Sequence, residues 1–237
     1  MPYKCGASLF ERVIYFQYFY YFQALIHFMK KAFILFLSIL FTHKLIAQQR
    51  IIAECTISYN ISATDSANVK MKDALKASSK TVYIKGNESR VNLVSPAFNQ
   101  SVIYDKTSGE ATILREFGSN KFITKLYNDK WLAENKQFEN SRVETTTDEH
   151  KTILGYDCTK AFIHLKDSSV YTIYYATTII PSVKEFEYLF KEVNGLVLCY
   201  EGLGSKGEKV VYTATKVNLS PVPISAFSIP SSGYRGL

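Results

Sequence analysis

"KTVYIKGNESRVNLVSPAFNQSVIYDKTSGEATILREFGSNKFITKLY", residues 80–127, decides the fold class. Short segments rich in Val, Ile, Thr, Tyr and Phe are separated by Gly86-Asn87, Pro96, Ser108-Gly109 and Gly118-Ser119-Asn120. β-branched and aromatic side chains suit a pleated, half-buried surface. Glycine, asparagine and serine supply the backbone angles of tight turns. Turn signals recurring at intervals of about 8–12 residues are the mark of an antiparallel, mainly β chain.

The same reading extends in both directions. Upstream, "RIIAECTISYNIS" (50–62) reads as a strand. Downstream come "SRVETTTD", "KTILGYDCTKAFIHL", "SVYTIYYATTII", "GLVLCYEG" and "EKVVYTATKVN", closed by "SAFSIPSSGY". Gly155 is expected to bend or bulge the second of these. Two helices interrupt the strands. "ATDSANVKMKDALKASS" (63–79) offers Asp65 or Ser66 as a cap and Val69, Leu75 and Ala77 for packing over about three turns. "DKWLAENKQFEN" (129–140) places Trp131 and Phe138 on one face. "PSVKEFEYLFKEV" (181–193) reads as a short helix or an irregular crossing. No repeat or low-complexity linker divides residues 48–237.

The N-terminal part differs. "MKKAFILFLSILFTHKLIAQQ" starts at Met29 with a basic Met-Lys-Lys, followed by the apolar run Ala32–Thr42. That anatomy is expected of a secretory signal peptide over residues 29–47, cleaved between Ala47 and Gln48. A membrane span needs about 20 apolar residues, which this run lacks; an uncleaved N-terminal membrane anchor is the alternative. Residues 1–28, with "YFQYFYYF", show neither a period of 2 nor one of 3.6. They are expected to be a spurious upstream extension, the alternative being an aromatic membrane-associating arm. The single domain then spans 48–237, in the periplasm or outside the cell, and is long enough for a sizeable core.

Charge excludes one partner class. The first 47 residues hold five basic residues and one acidic, so 23 basic and 20 acidic remain and the mature net charge is +3. No Lys/Arg block is present, and nucleic acid is not expected as a partner. Cys55, Cys158 and Cys199 remain, without a Cys-x-x-Cys pair. In an exported chain an odd count predicts one disulfide and one thiol, with three pairings open.

Catalytic and cofactor patterns fail on context. "GLGSKG" (202–207) has Gly-x-Gly-x-x-Gly spacing, but the strand-like "EKVVYTATK" follows where a dinucleotide site needs a helix. It reads as a hairpin loop. His150 and His164 fall on different elements, too sparse for zinc. Neither a Gly-x-Ser-x-Gly elbow nor His-Glu-x-x-His occurs. No catalytic residue, metal or cofactor is expected, and the chain reads as a non-enzyme.

"KTILGYDCTKA" (151–161), the strand "VYTIYYATTI", "GLVLCYE", "YTATKVN" and the closing "FSIPSSGY" together resemble a family of exported Gram-negative envelope proteins of unknown function. That family is similar to the LolA/LolB-like lipoprotein carriers. The resemblance implies an incomplete antiparallel β-barrel of about ten strands, with two or three short helices on its concave side. It implies a Cys55–Cys158 disulfide, with Cys158–Cys199 as the alternative. It also implies an apolar or lipid-like ligand in a half-barrel groove, for which Tyr83, Tyr104, Phe122, Trp131, Phe162 and Tyr174 are the candidate lining. The alternative is an envelope structural or interaction module, with an envelope protein as partner and no small ligand.

Overall fold

The computed structural model describes residues 21–23, 25–33, 49–63, 69–203 and 209–236. The chain divides into two units, Met1–Gln48 and Gln49–Leu237. In the first, the described residues 21–23 and 25–33 are helical. No helix among the described residues is long and apolar enough to cross a membrane. Residues 34–48, with most of the expected signal peptide and its cleavage pair Ala47 and Gln48, lie outside the described residues.

The second unit is mainly β. The strands are β1 (Arg50–Ile52), β2 (Glu54–Ala63), β3 (Ser79–Lys85), β4 (Glu88–Val94), β5 (Asn99–Asp105), β6 (Glu110–Phe117), β7 (Asn120–Leu126), β8 (Arg142–Ile153), β9 (Tyr156–His164), β10 (Val170–Ala176), β11 (Ile179–Pro181), β12 (Leu196–Leu203), β13 (Lys209–Asn218) and β14 (Arg235–Gly236). Helix α1 spans Val69–Lys76 and α2 spans Asn128–Glu134, followed by a 3-10 turn at Lys136–Phe138.

Twelve strands form one sheet in the order β14-β7-β6-β5-β4-β3-β2-β13-β12-β10-β9-β8. The end strands are not paired with each other, so the sheet stays open. Every pairing within it is antiparallel except the short β14 on β7. The mainly β, incomplete-barrel expectation therefore holds, with twelve strands in place of about ten.

The turn residues act as their chemistry dictates. Gly86-Asn87 and Gly118-Ser119 are two-residue hairpin loops, with Gly86 at φ 59° and Gly118 at φ 58°. Gly155 does something other than bend a strand. Leu154 (φ 52°) and Gly155 (φ 82°) are the two residues between paired Ile153 and Tyr156. A right-twisting hairpin favours a turn with positive φ at both central positions, so the expected strand is split into β8 and β9. Similarly "RIIAECTISYNIS" is interrupted at Ala53; β1 pairs in parallel with β11, while β2 enters the main sheet.

One face of the sheet, here the inner face, is buried across its centre. Cys55, Ile57 and Tyr59 of β2 stand beside Ile84, Val82 and Lys80 of β3, and the set continues through Val91, Tyr104 and Ala111. At the other end Ile163, Ala161 and Ile173 are also buried. α1, α2 and a strap of residues 182–193 cover this face. The strap contains 3-10 turns at Lys184–Phe186 and Tyr188–Phe190 and buries Val183, Phe186, Tyr188, Leu189, Phe190 and Val193. On the outer face the C-terminal segment is held by Arg90, which donates to the Ala226 carbonyl at 3.1 Å, and by Tyr234, which donates to Glu116. "SAFSIPSSGY" is therefore a 3-10 turn and loop, and only Arg235–Gly236 after it is strand.

The expected disulfide is not formed. Cys55, Cys158 and Cys199 are free and buried. Cys55 on β2 and Cys158 on β9 are separated by β13, β12 and β10, four steps of about 4.8 Å along the sheet. A bridge needs Cα atoms within about 7 Å. Cys199 on β12 is two such steps from Cys158, which also exceeds that reach. Burial pushes the Cys55 thiol up to about 12 and the Cys158 thiol up to about 11, from an ordinary value of 9.0. Above pH of about 9 the unfolded chain ionises these thiols while the native state keeps their protons. Their stabilising contribution is thus complete below about pH 9 and is lost as pH rises through 11 to 12. In the native protein at pH 8 the three buried thiols are expected to resist an aromatic disulfide reagent, and to react on denaturation. Rapid reaction of any of them at pH 8 would contradict their burial.

Candidate functional site

The inner face retains two adjoining cavities. The larger, about 370 Å³, lies between α1 and the sheet. Met71, Ala74 and Leu75 of α1 face Ile61, Leu93, Val210 and Tyr212, and Phe98 and Leu203 stand at its margin. The helix is two turns long, and Met71 with Leu75 is a half-buried i, i+4 pair on its sheet-facing side. Val69, expected to pack, is 73% exposed at the first helical position. The capping residues Asp65 and Ser66 lie outside the described residues.

The smaller cavity, about 180 Å³, shares Leu93 and Tyr212 with the first. Its walls mix apolar groups (Val91, Val102, Phe138, Phe186) with Lys80, Gln100, Asn135 and Glu187. Trp131 also lines it. Trp131 and Phe138 meet on this wall although α2 stops at Glu134, because the following 3-10 turn carries Phe138 back to the sheet. The Trp131 ring stacks on Tyr104 with centroids 5.7 Å apart.

Lys80 is the unexpected residue here. On β3 it alternates with Val82 and Ile84, so the pleat sends it inward with them. Its side chain is 5% exposed. It donates to Glu187 of the strap and, at 2.6 Å, to the Tyr200 hydroxyl. Its Nζ stands 5.2 Å from the ring centroids of both Tyr200 and Tyr212, which stack at 4.6 Å. A buried ammonium persists where it is paired and hydrogen-bonded and where aromatic faces replace water. Burial holds the Tyr200 hydroxyl well above its ordinary range and pushes Tyr212 up to about 12, with the Glu187 charge adding to both. Period-2 counting through "SKTVYIK" puts Lys80 in phase with Val82 and Ile84; that was the available signal, outweighed by the usual preference of lysine for the surface.

The candidate aromatics separate by face. Trp131 lines the smaller cavity, and Tyr104 stacks on it without lining either cavity. Phe122 alternates in phase with Tyr104 through Arg115 and Gln100, but lies towards the β7 edge, outside both cavities. Tyr83, Phe162 and Tyr174 point to the outer face, opposite Val82, Ile163 and Ile173. There Lys160 lies over the Phe162 ring at 5.2 Å and Lys151 over Tyr174 at 5.6 Å. Aromatic content carries no phase, and one residue of offset reverses the face.

The histidines are apart. His150 Nδ1 lies 3.1 Å from Asp157 and His164 Nε2 lies 3.2 Å from Glu144, both on the β8–β9 pair. Among the described residues no three His, Cys, Asp or Glu side chains cluster as a metal site. "GLGSKG" joins β12 to β13, two antiparallel strands; residues 204–208 themselves lie outside the described residues.

No protein family and no curated protein matches the chain. Among solved structures it is similar to the crystal structure of MucB at 12% identity, covering 76% of this chain and 58% of that one, with a TM-score of 0.39. MucB in complex with MucA(peri) gives 12% identity, coverage of 75% and 54%, and a TM-score of 0.38. A DUF1329 family protein from Desulfovibrio piger gives 9% identity, coverage of 74% and 88%, and a TM-score of 0.30. The chain thus spans little more than half the length of the MucB structures it matches.

Proposed function

We propose that residues 49–237 form an exported, non-enzymatic domain that holds an apolar, lipid-like molecule between α1 and the inner face of the sheet. The observation that carries this is the larger cavity. Its volume lies within the range of roughly 300–1,000 Å³ usual for small-molecule sites, and Ile61, Met71, Leu75, Leu93, Phe98 and Val210 give it an apolar wall. Export is supported by the residue pattern of 29–47 alone.

The test is a chain-length series of n-alkyl alcohols competing with an environment-sensitive fluorophore. Burying one methylene contributes about 0.8 kcal/mol, so affinity should rise about fourfold per carbon until the cavity is full. Ala74→Trp, which projects an indole from α1 into the cavity, should remove most of that affinity. Binding that ignores chain length, or survives Ala74→Trp unchanged, would place the ligand elsewhere.

A second reading is a protein-binding module. It is favoured by β8, which spans twelve residues and pairs, among the described residues, only with β9. Such an edge can accept a partner strand. Protein partners recovered from envelope extracts by wild type, but not by a variant with proline in β8, together with no alkyl binding, would favour this reading over the first.

A further inference from the structure

We propose that the smaller cavity is a head-group subsite, and that the ligand of the groove is a single-chain amphiphile ending in a carboxylate, such as a long-chain fatty acid. This rests on the reading of the larger cavity as the site of the alkyl chain. The two spaces share Leu93 and Tyr212, so a chain lying along α1 has its end beside Lys80.

The chemistry of the smaller cavity selects the end group. Trp131 lines it, and the indole Nε1–H is buried without an acceptor. A buried N–H without an acceptor is costly and is normally matched. Lys80 donates two of its three ammonium protons, to Glu187 and to Tyr200. Gln100 has its carbonyl oxygen committed to Arg115 at 3.0 Å, leaving its amide N–H groups as the face it can offer. Against these donors the lining sets the Glu187 carboxylate and the carbonyl oxygen of Asn135, whose amide is committed to the Trp131 carbonyl at 2.8 Å. A carboxylate supplies two acceptor oxygens and the negative charge that an enclosed ammonium favours.

Glu187 currently supplies that charge. It belongs to the strap and its side chain is one-third exposed, so it can turn to water when a ligand carboxylate takes its place. This makes Glu187 a competitor for Lys80 and gives the proposal an effect of unusual sign. Glu187→Gln removes the competing charge yet keeps an oxygen for Lys80, and it should tighten fatty-acid binding.

The experiment measures palmitate and hexadecanol side by side, by displacement of a fluorescent probe from the purified protein at pH 8. Palmitate should bind at least tenfold more tightly than hexadecanol. Lys80→Met and, separately, Trp131→Phe, which keeps the ring on Tyr104 while deleting the N–H, should reduce that ratio several-fold, palmitate losing more than hexadecanol. Glu187→Gln should raise the ratio of palmitate to hexadecanol affinity several-fold. Equal binding of the two by the wild type, or a lower ratio of palmitate to hexadecanol affinity in Glu187→Gln, overturns the head-group assignment while the apolar groove stands. Failure of both ligands to bind overturns the groove reading itself. If Lys80→Met does not fold, Trp131→Phe and Glu187→Gln still decide the matter.

Discussion

Replacing Phe190 with alanine is expected to cost about 3–5 kcal/mol of stability, the usual range for deleting a buried phenylalanine. For a domain of this size that lowers Tm by on the order of 10 °C. Phe190 is 2% exposed at the centre of the strap. Its ring stands edge-on to Tyr200 at 4.9 Å and to Phe186 at 5.7 Å. The strap has little regular structure with which to hold itself. Its attachments include Ser182, which donates to the Gly86 carbonyl at 2.6 Å, the Lys80–Glu187 and Lys106–Glu185 pairs, and its buried apolar side chains. Removing the ring leaves a cavity against Tyr200 that short 3-10 turns, braced at both ends by strands, are poorly placed to close. Phe190→Leu, which keeps most of the volume, should cost about 1–2 kcal/mol. Urea unfolding measures both. A loss below about 1 kcal/mol for Phe190→Ala would mean that the strap does not pack as described.

The second large effect is an asymmetry between two partners of one ion pair. Glu187→Ala should cost about 3 kcal/mol or more, because it strands the ammonium of Lys80, 5% exposed, on the inner face. Lys80→Met should cost only about 1 kcal/mol. The methionine keeps the packing of the lysine stem, and the freed Glu187 carboxylate, one-third exposed, can turn to water. The double variant Lys80→Met/Glu187→Ala should therefore be more stable than Glu187→Ala alone. The reverse order of the single variants would show that Lys80 reaches water more freely than the structure places it. The double-mutant cycle then reports their coupling, because the two residues touch and their effects are not additive.

Much of the fold is written in local chemistry. The turns at Gly86-Asn87, Ser108-Gly109 and Gly118-Ser119 lie between the paired strands β3–β7, as the 8–12-residue spacing requires, since the positive φ each turn needs is a local property of its glycine. Trp131 and Phe138 reach the same wall because their separation brings both towards the sheet even after the helix gives way to a 3-10 turn. Gly155 shows where local reading stops. Its positive φ was implicit in its identity, but whether the chain bends or reverses depended on β9 finding β8.

By itself, then, the sequence determined strands, turns, the positions of the short helices and the mainly β class, because these follow from backbone preferences and apolar periodicity over a few residues. Only the tertiary structure decided which aromatics share a cavity, that the three cysteines lie too far apart in strand order to bridge, and that Lys80 meets Glu187, a residue 107 positions away. Those outcomes depend on strand order, and strand order is settled by contacts between distant segments. Burying the face shared by β2, β3, β12 and β13 brings Lys80, Tyr200 and Tyr212 into one cluster, and no window of neighbouring residues contains that information.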